Sequence, residues 1–177
     1  MELLLILIYS LLFIFLLYLL AVFFFTKVPI VLTNKKYFPI IFAEVPVSEG
    51  SIVYELGCGL ADFLFFAEKY GPKKLIGYEL SPLHVVLANL KAKIIGSKIK
   101  VYWQDFFNAD ISEADYIYLF LVPKIVDRAW LKITKEAKKG AFVLVLSDNI
   151  PYEKPFKVFK TQPNNNKSTL VRVYQVK

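Results

Sequence analysis

The chain has 177 residues, the length of one ordinary domain, with 56% hydrophobic residues, a formal charge of +7 and one cysteine. With Cys58 alone no intramolecular disulfide is possible, which suits a reducing compartment. One histidine, one cysteine and no clustered ligand spacing argue against a metal site.

The first predicted element is apolar throughout. From Leu3 to Phe25 there are 23 residues without a charge. As a helix they extend about 35 Å, against a bilayer core of about 30 Å. A cleaved signal peptide fits poorly: no basic residue precedes the run, the run is too long, and no small-x-small cleavage site follows. A buried soluble helix fits poorly too, because no face is polar. Residues 1–26 are therefore expected to be a single transmembrane anchor. Only Glu2 precedes the run, whereas Lys27, Lys35 and Lys36 follow it. The positive-inside rule then puts the N-terminus outside and the rest of the chain in the cytoplasm. Removing the −1 of Glu2 from +7 leaves +8 on residues 26–177. The lysines are scattered, as on a solvated basic surface and not as in a nucleic-acid stripe. Beside a membrane tether, anionic lipid heads are the expected partner, and nucleic acid is not.

Residues 27–50 are expected as a linker, since Pro29, Pro39 and Pro46 disfavour a long helix. An alternation then begins. Ile52–Leu56 reads as a buried strand, Leu60–Tyr70 as a helix stopped by Gly71-Pro72, and Lys74–Glu79 as the next strand. Ser81-Pro82 opens a helix to about Ile95, with Gly96 as its C-cap. Lys98–Trp103 alternates as a half-exposed strand. Tyr116–Val122 is apolar enough for a central strand. Lys124–Glu136 is helical, and Ala141–Leu146 is another buried strand. Phe156–Lys160 and Thr169–Gln175 flank the polar loop "TQPNNNKS" as an antiparallel hairpin. The fold class is thus α/β: a Rossmann-like, doubly wound, mostly parallel sheet with a C-terminal antiparallel hairpin, over residues 51–177, preceded by the anchor.

In such sheets ligands bind beyond the carboxyl ends of the strands. The loop after the first strand lies in "VYELGCGLADFLFFA", residues 53–67. Gly57 and Gly59 permit a sharp turn and close approach to a ligand. The dinucleotide fingerprint needs a third glycine where Asp62 stands. Glu55, two residues before Gly57, would repel a pyrophosphate and attract an ammonium group. The inferred ligand is a nucleoside with a positively charged tail and no phosphate, a description that S-adenosylmethionine meets. Glu79 ends the second strand, placed to accept bonds from both ribose hydroxyls. Asp105, in "VYWQDFF", could accept one from the adenine amino group, with Phe106 against the ring.

These residues resemble the class I S-adenosylmethionine-dependent methyltransferases over about residues 50–147. "ELGCG" is similar to their first motif, "GYEL" to the ribose-binding end of strand two, and "QDFF" to the adenine-binding stretch. The resemblance implies cofactor contacts at Glu55, Gly57, Gly59, Glu79, Leu80, Asp105 and Phe106. "DFFNADISEADYIYLFLVP", residues 105–123, resembles the small protein-lysine methyltransferases related to the ATP synthase c-subunit lysine methyltransferase and to archaeal broad-specificity enzymes. In these the helix between strands three and four is cut to a short loop, and several carry an N-terminal membrane segment. Leu60 and Ala61 depart from the family's acidic residue and glycine. "YFPIIFAEVPVSEG" departs from its Pro-Thr stretch with a helix before the first strand.

Methyl transfer from a sulfonium needs a neutral nucleophile about 3 Å from the methyl carbon, and positioning supplies most of the acceleration. Tyr118, Phe120, Val122 and Pro123 could desolvate a lysine amine, although such residues also build cores. No catalytic residue is singled out. His84 reads as an ordinary helix residue and Cys58 as a small loop residue. The expected function is a membrane-anchored methyltransferase of protein lysine. The alternatives are one of a membrane lipid or quinone, and a catalytically silent S-adenosylmethionine-binding module.

Overall fold

The computed structural model describes residues 1–26, 33–146, 148–162 and 168–177, and the side chains of these residues other than 19 and 21–26. Lys27, Pro29 and most of the loop of the C-terminal hairpin lie outside them. The chain divides into two compact units, residues 1–31 and 32–177.

The first unit holds helix α1 (Glu2–Thr26), 25 residues long. Its large apolar side chains from Leu3 to Leu17 are all exposed, by 45–83%. Among the described residues no helix is long and apolar enough to cross a membrane. The span expected over residues 1–26 is thus not part of the described fold. A crossing needs about 20 continuous apolar residues, and beyond Tyr18 only Leu20 has a described side chain in α1.

The second unit is one seven-stranded sheet. The strands are β1 (Ile52–Leu56), β2 (Lys74–Glu79), β3 (Lys100–Trp103), β4 (Tyr116–Leu119), β5 (Phe142–Leu146), β6 (Lys157–Lys160) and β7 (Leu170–Gln175). Their order is β3-β2-β1-β4-β5-β7-β6, parallel through β5, with β7 antiparallel to both neighbours. The expected hairpin forms, and its second strand, not its first, joins the parallel sheet.

Asp115 sets the register at the amino-terminal ends. Its carboxylate accepts the Ile52 N–H at 2.8 Å, its N–H donates to the Ile52 carbonyl, and its own carbonyl accepts the Phe142 N–H. Lys138 pairs with the same carboxylate at 2.5 Å. One residue thereby aligns β1, β4 and β5.

One face of the sheet carries α2 (Phe38–Glu44), α3 (Asp62–Ala67) and α4 (Pro82–Ile95); the other carries α5 (Pro123–Glu136). α4 begins at an Ser81 N-cap, whose hydroxyl accepts the His84 N–H, and ends at Gly96 in the left-handed region, as its sequence predicts. The β3–β4 connection holds only a 3-10 turn, Phe106–Asn108. Phe106, Ala109, Ile111 and Ala114 cover that part of the face instead.

The expected linker contains α2. Pro39 sits in its first turn, where a missing N–H costs nothing. Phe38, Ile41 and Phe42, spaced for one helical face, are buried. Phe42 packs on Phe63 and Phe66 at 5.1 and 5.2 Å, and Phe63 stacks on Tyr118 at 4.0 Å and 5°. This aromatic block holds α3 against β4.

Gly77 in β2 is required by packing. A Cβ there would lie 2.5 Å from the Cys58 sulfur and 3.3 Å from Leu64 Cδ1. Gly77→Ala should therefore destabilise the domain by about 1–3 kcal/mol, as overpacking does. In urea unfolding followed by circular dichroism, Cys58→Ala in the same chain should recover part of that loss. Equal stability of Gly77→Ala and the unsubstituted protein would refute the contact.

Candidate cofactor site

The sheet changes direction between β1 and β4, and the residues beyond their carboxyl ends form the candidate site. The loop from β1 to α3 takes three left-handed residues: Gly57 (φ +73°), Gly59 (φ +51°) and Ala61 (φ +59°). Ala61 occupies a conformation that favours glycine, at the place where the resemblance expects one. The loop folds back over β2. The Gly57 and Cys58 N–H groups both donate to the Tyr78 carbonyl, at 2.9 and 3.0 Å. A Cβ on Gly57 would meet Leu121 at 2.7 Å, whereas none of the described residues lies within 4 Å of one on Gly59. The first glycine is held by packing; the second faces open space.

Glu79 ties two loops together. Its Oε2 accepts the Gly59 N–H at 2.8 Å and its Oε1 accepts the Ser81 N–H at 2.7 Å. The Glu79 carbonyl accepts the Gln104 N–H, joining the ends of β2 and β3. Leu80, next along, is exposed, and its carbonyl accepts the Trp103 indole N–H at 3.0 Å. Asp105 Oδ1 accepts the Phe107 N–H at 2.9 Å, capping the 3-10 turn. Phe106 is only 7% exposed and packs into the core on the α5 face, against Phe107 at 4.3 Å. Little of that ring is open to a ligand, in contrast to its expected place beside a base.

Glu55 differs from the strand-tip residue the sequence suggests. It pairs across to Gly77 and Tyr118 and is 6% exposed. Burial pushes its carboxyl well above the usual range; a backbone hydrogen bond from Leu64 opposes this, and Asp62 and Glu79 add to it. Its Oε2 is buried and has no hydrogen-bond partner among the described residues. Asp62 itself, in the first turn of α3, pairs with Lys35 at 2.9 Å and Lys91 at 3.2 Å.

Cys58 is buried, and burial raises its thiol. It is a packing residue and not a nucleophile. Tyr118 is fully buried behind Phe63, with its hydroxyl 3.5 Å from Thr33 Oγ1, so it lies beneath the site. Past the carboxyl end of β4, Phe120 and Val122 are half-buried, and Pro123 is exposed. His84 is half-buried in α4. Among the described residues no group of His, Cys, Asp and Glu could hold a metal ion. Leu121 over Gly57 and Trp103 beside Leu80 are site neighbours that the sequence did not single out. The apolar continuation past β4 and the tryptophan ending β3 were their only signals.

A mostly parallel sheet in this order with antiparallel β7, a glycine turn after β1 and a carboxylate at the end of β2 is the architecture of a class I S-adenosylmethionine-dependent methyltransferase, and the comparisons with known proteins agree. The ANTKMT methyltransferase domain matches residues 55–157, and the chain belongs to that family; its cofactor is S-adenosylmethionine. A protein-lysine N-methyltransferase of Saccharolobus islandicus is 30% identical over 146 residues, covering 81% of this chain and 91% of the relative. The fold is similar to an RNA methyltransferase of Salinibacter ruber solved with S-adenosyl-L-homocysteine (TM-score 0.75, 22% identity, 82% of this chain and 94% of that one). It is also similar to a methyltransferase of Aquifex aeolicus (TM-score 0.62, 16% identity, 80% and 92%).

The buried Glu55 carboxyl gives a signed pH dependence. Unfolded, the group ionises in the usual range near 4.5; folded, it keeps its proton to higher pH. Folding therefore takes up a proton, and the stability this supplies is lost as pH rises from the unfolded value through the folded one. The folding equilibrium constant should fall about tenfold per pH unit within that window. Glu55→Gln should flatten the slope in urea unfolding measured from pH 5 upward. An unchanged slope would show that Glu55 is ionised in the folded protein.

Proposed function

We propose that the protein transfers methyl groups from S-adenosylmethionine to lysine side chains of proteins at a membrane surface. The observation that carries the cofactor placement is the Glu79 carboxylate bridging Gly59 and Ser81 beside the uncovered Gly59. Each Glu79 oxygen accepts one N–H and retains a lone pair for a ribose hydroxyl. The Glu55 Oε2, without a partner among the described residues, would accept from a ligand ammonium group, whose charge would draw the carboxyl to its ionised form. Gly57 and Gly59 would let the backbone approach the cofactor, Leu80 would flank the ribose, and Asp105 would meet the adenine amino group over the edge of Phe106. The sulfonium supplies the methyl group.

The lysine assignment draws on the Saccharolobus islandicus relative and on the compact β3–β4 connection. A lysine entering past Phe120, Val122 and Pro123 would leave water behind, which favours its neutral, nucleophilic form. The membrane setting draws on the 23 uncharged residues of the sequence and on the exposed apolar side chains of α1, a surface that water does not favour. In this reading residues 1–26 are a single span, the N-terminus lies outside and the catalytic domain faces the cytoplasm. The same apolar helix favours a lipid or quinone acceptor as the second reading.

Two measurements test the proposal. Glu79→Gln keeps an acceptor for one amide but loses an oxygen for the ribose, a deficit of about 1–3 kcal/mol. Calorimetry should show S-adenosylhomocysteine binding weakened roughly 5- to 150-fold, with the circular dichroism spectrum unchanged. Unaltered affinity would show that the ribose is held elsewhere. Second, the full chain with labelled S-adenosylmethionine and solubilised membranes should label protein lysines. Label confined to the lipid fraction would replace the lysine reading with the lipid one, and label in neither would leave only a binding module.

A further inference from the structure

Helix α4 carries apolar residues on the side that faces away from the sheet. Val85, Ala88 and Ala92 are buried against β2 and β3. Leu83, Val86, Leu87, Leu90 and Ile94 are 37–73% exposed. At 100° per residue these five form one continuous stripe, centred opposite the buried three. A solvent-facing stripe would normally be polar. Lys91 and Lys93 border it on its two sides, and Lys98 follows the C-cap. Trp103, 69% exposed, lies at the helix start, where its indole N–H reaches the Leu80 carbonyl.

We propose that this face of α4 docks onto an anionic lipid surface, with the apolar stripe entering the headgroup boundary and Lys93 and Lys98 meeting the phosphates, while Lys91 stays paired with Asp62. An apolar stripe bordered by lysines, with an amphipathic aromatic ring beside it, is the composition of an interfacial helix. A second copy of the chain is the poorer occupant. A face-to-face pair would bring Lys91 and Lys93 of each copy together, on domains that carry +8 each over residues 26–177 (+7 less the −1 of Glu2). The inference deepens the membrane setting proposed above but does not depend on α1 spanning the bilayer. Leu80 and Trp103 also stand beside Glu79, so docking would bring the cofactor site to the lipid surface.

The test uses the full chain with Val86→Cys or Leu90→Cys carrying an environment-sensitive fluorophore, and Ser112→Cys as the exposed control. The unsubstituted chain, labelled in parallel, shows what the buried Cys58 takes up. With phosphatidylcholine vesicles containing phosphatidylserine, the probes at 86 and 90 should shift to the blue and be quenched by spin-labelled lipid, while that at 112 stays in water. Lys93→Gln with Lys98→Gln should lower the ratio of docked to undocked probe roughly fivefold per lysine. Vesicle flotation after an alkaline carbonate wash, which strips surface-docked chains but keeps an inserted span, reads the anchor separately. If the chain floats but the probes at 86 and 90 remain water-exposed, the docking face is refuted and the anchor stands. If it does not float yet the probes shift when lipid is added, the docking face stands and the anchor falls. A blue shift without vesicles, together with disulfide-linked dimers of the unlabelled Val86→Cys chain under oxidising conditions, would make the face an interface between copies and overturn the proposal.

Discussion

The architecture of the site depends on a side chain that is missing. Because Gly77 has no Cβ, Cys58 can lie against β2, and the loop after β1 can turn back across the strand. The Tyr78 carbonyl then receives two amides from that loop, and Gly59 comes within hydrogen-bond reach of Glu79. Fill the notch and the loop must lift. With it would go the left-handed turn at Gly57 and the contact between that glycine and Leu121. The surface of this loop beside Glu79 is therefore an outcome of packing at Gly77, two residues before it.

Around that notch the two faces of the sheet are closed by different means. On one, aromatic rings from α2 and α3 stack onto Tyr118, so that three segments far apart in sequence share one apolar block. On the other, α5 and the irregular residues 106–114 do the work that two helices would do elsewhere. The economy of the β3–β4 connection leaves the polar requirements of the turn to local capping, as Asp105 and Asp110 show by accepting the amides of Phe107 and Ser112. At the free edge of β3 the Asn89 side chain from α4 bonds both backbone groups of Val101, which ties helix to strand and blunts an edge open to pairing.

Much of this was legible where one local rule dominates. β1 and β2 begin and end where the apolar pattern does, and Ser81, Pro82 and Gly96 mark both ends of α4. Boundaries slipped where tertiary contacts decide. β3 begins at Lys100, because Ser97 donates its amide to the last turn of α4 and Lys98 donates to Glu68. β4 stops at Leu119, because Val122 leads into the first turn of α5. α2 was hidden by Pro39 within it and Pro46 just beyond it, although the spacing of Phe38, Ile41 and Phe42 was present. Of the site, Glu79 and the two glycines could be read from chain order, since each ends or follows a strand. The burial of Glu55 and Phe106 could not, because it depends on which groups pack over them from distant segments.

The position of Cys58 gives the protein a built-in reporter. It is the only thiol in the sequence, and it sits in the loop after β1 at 5% exposure, so a thiol reagent can reach it only when that loop parts from β2. Its modification rate would thus count openings of one small segment and not the melting of the whole domain. A ligand that clamps the loop would slow those openings without touching the sulfur. The same burial that makes the cysteine chemically silent makes it a clock for the motion of the site.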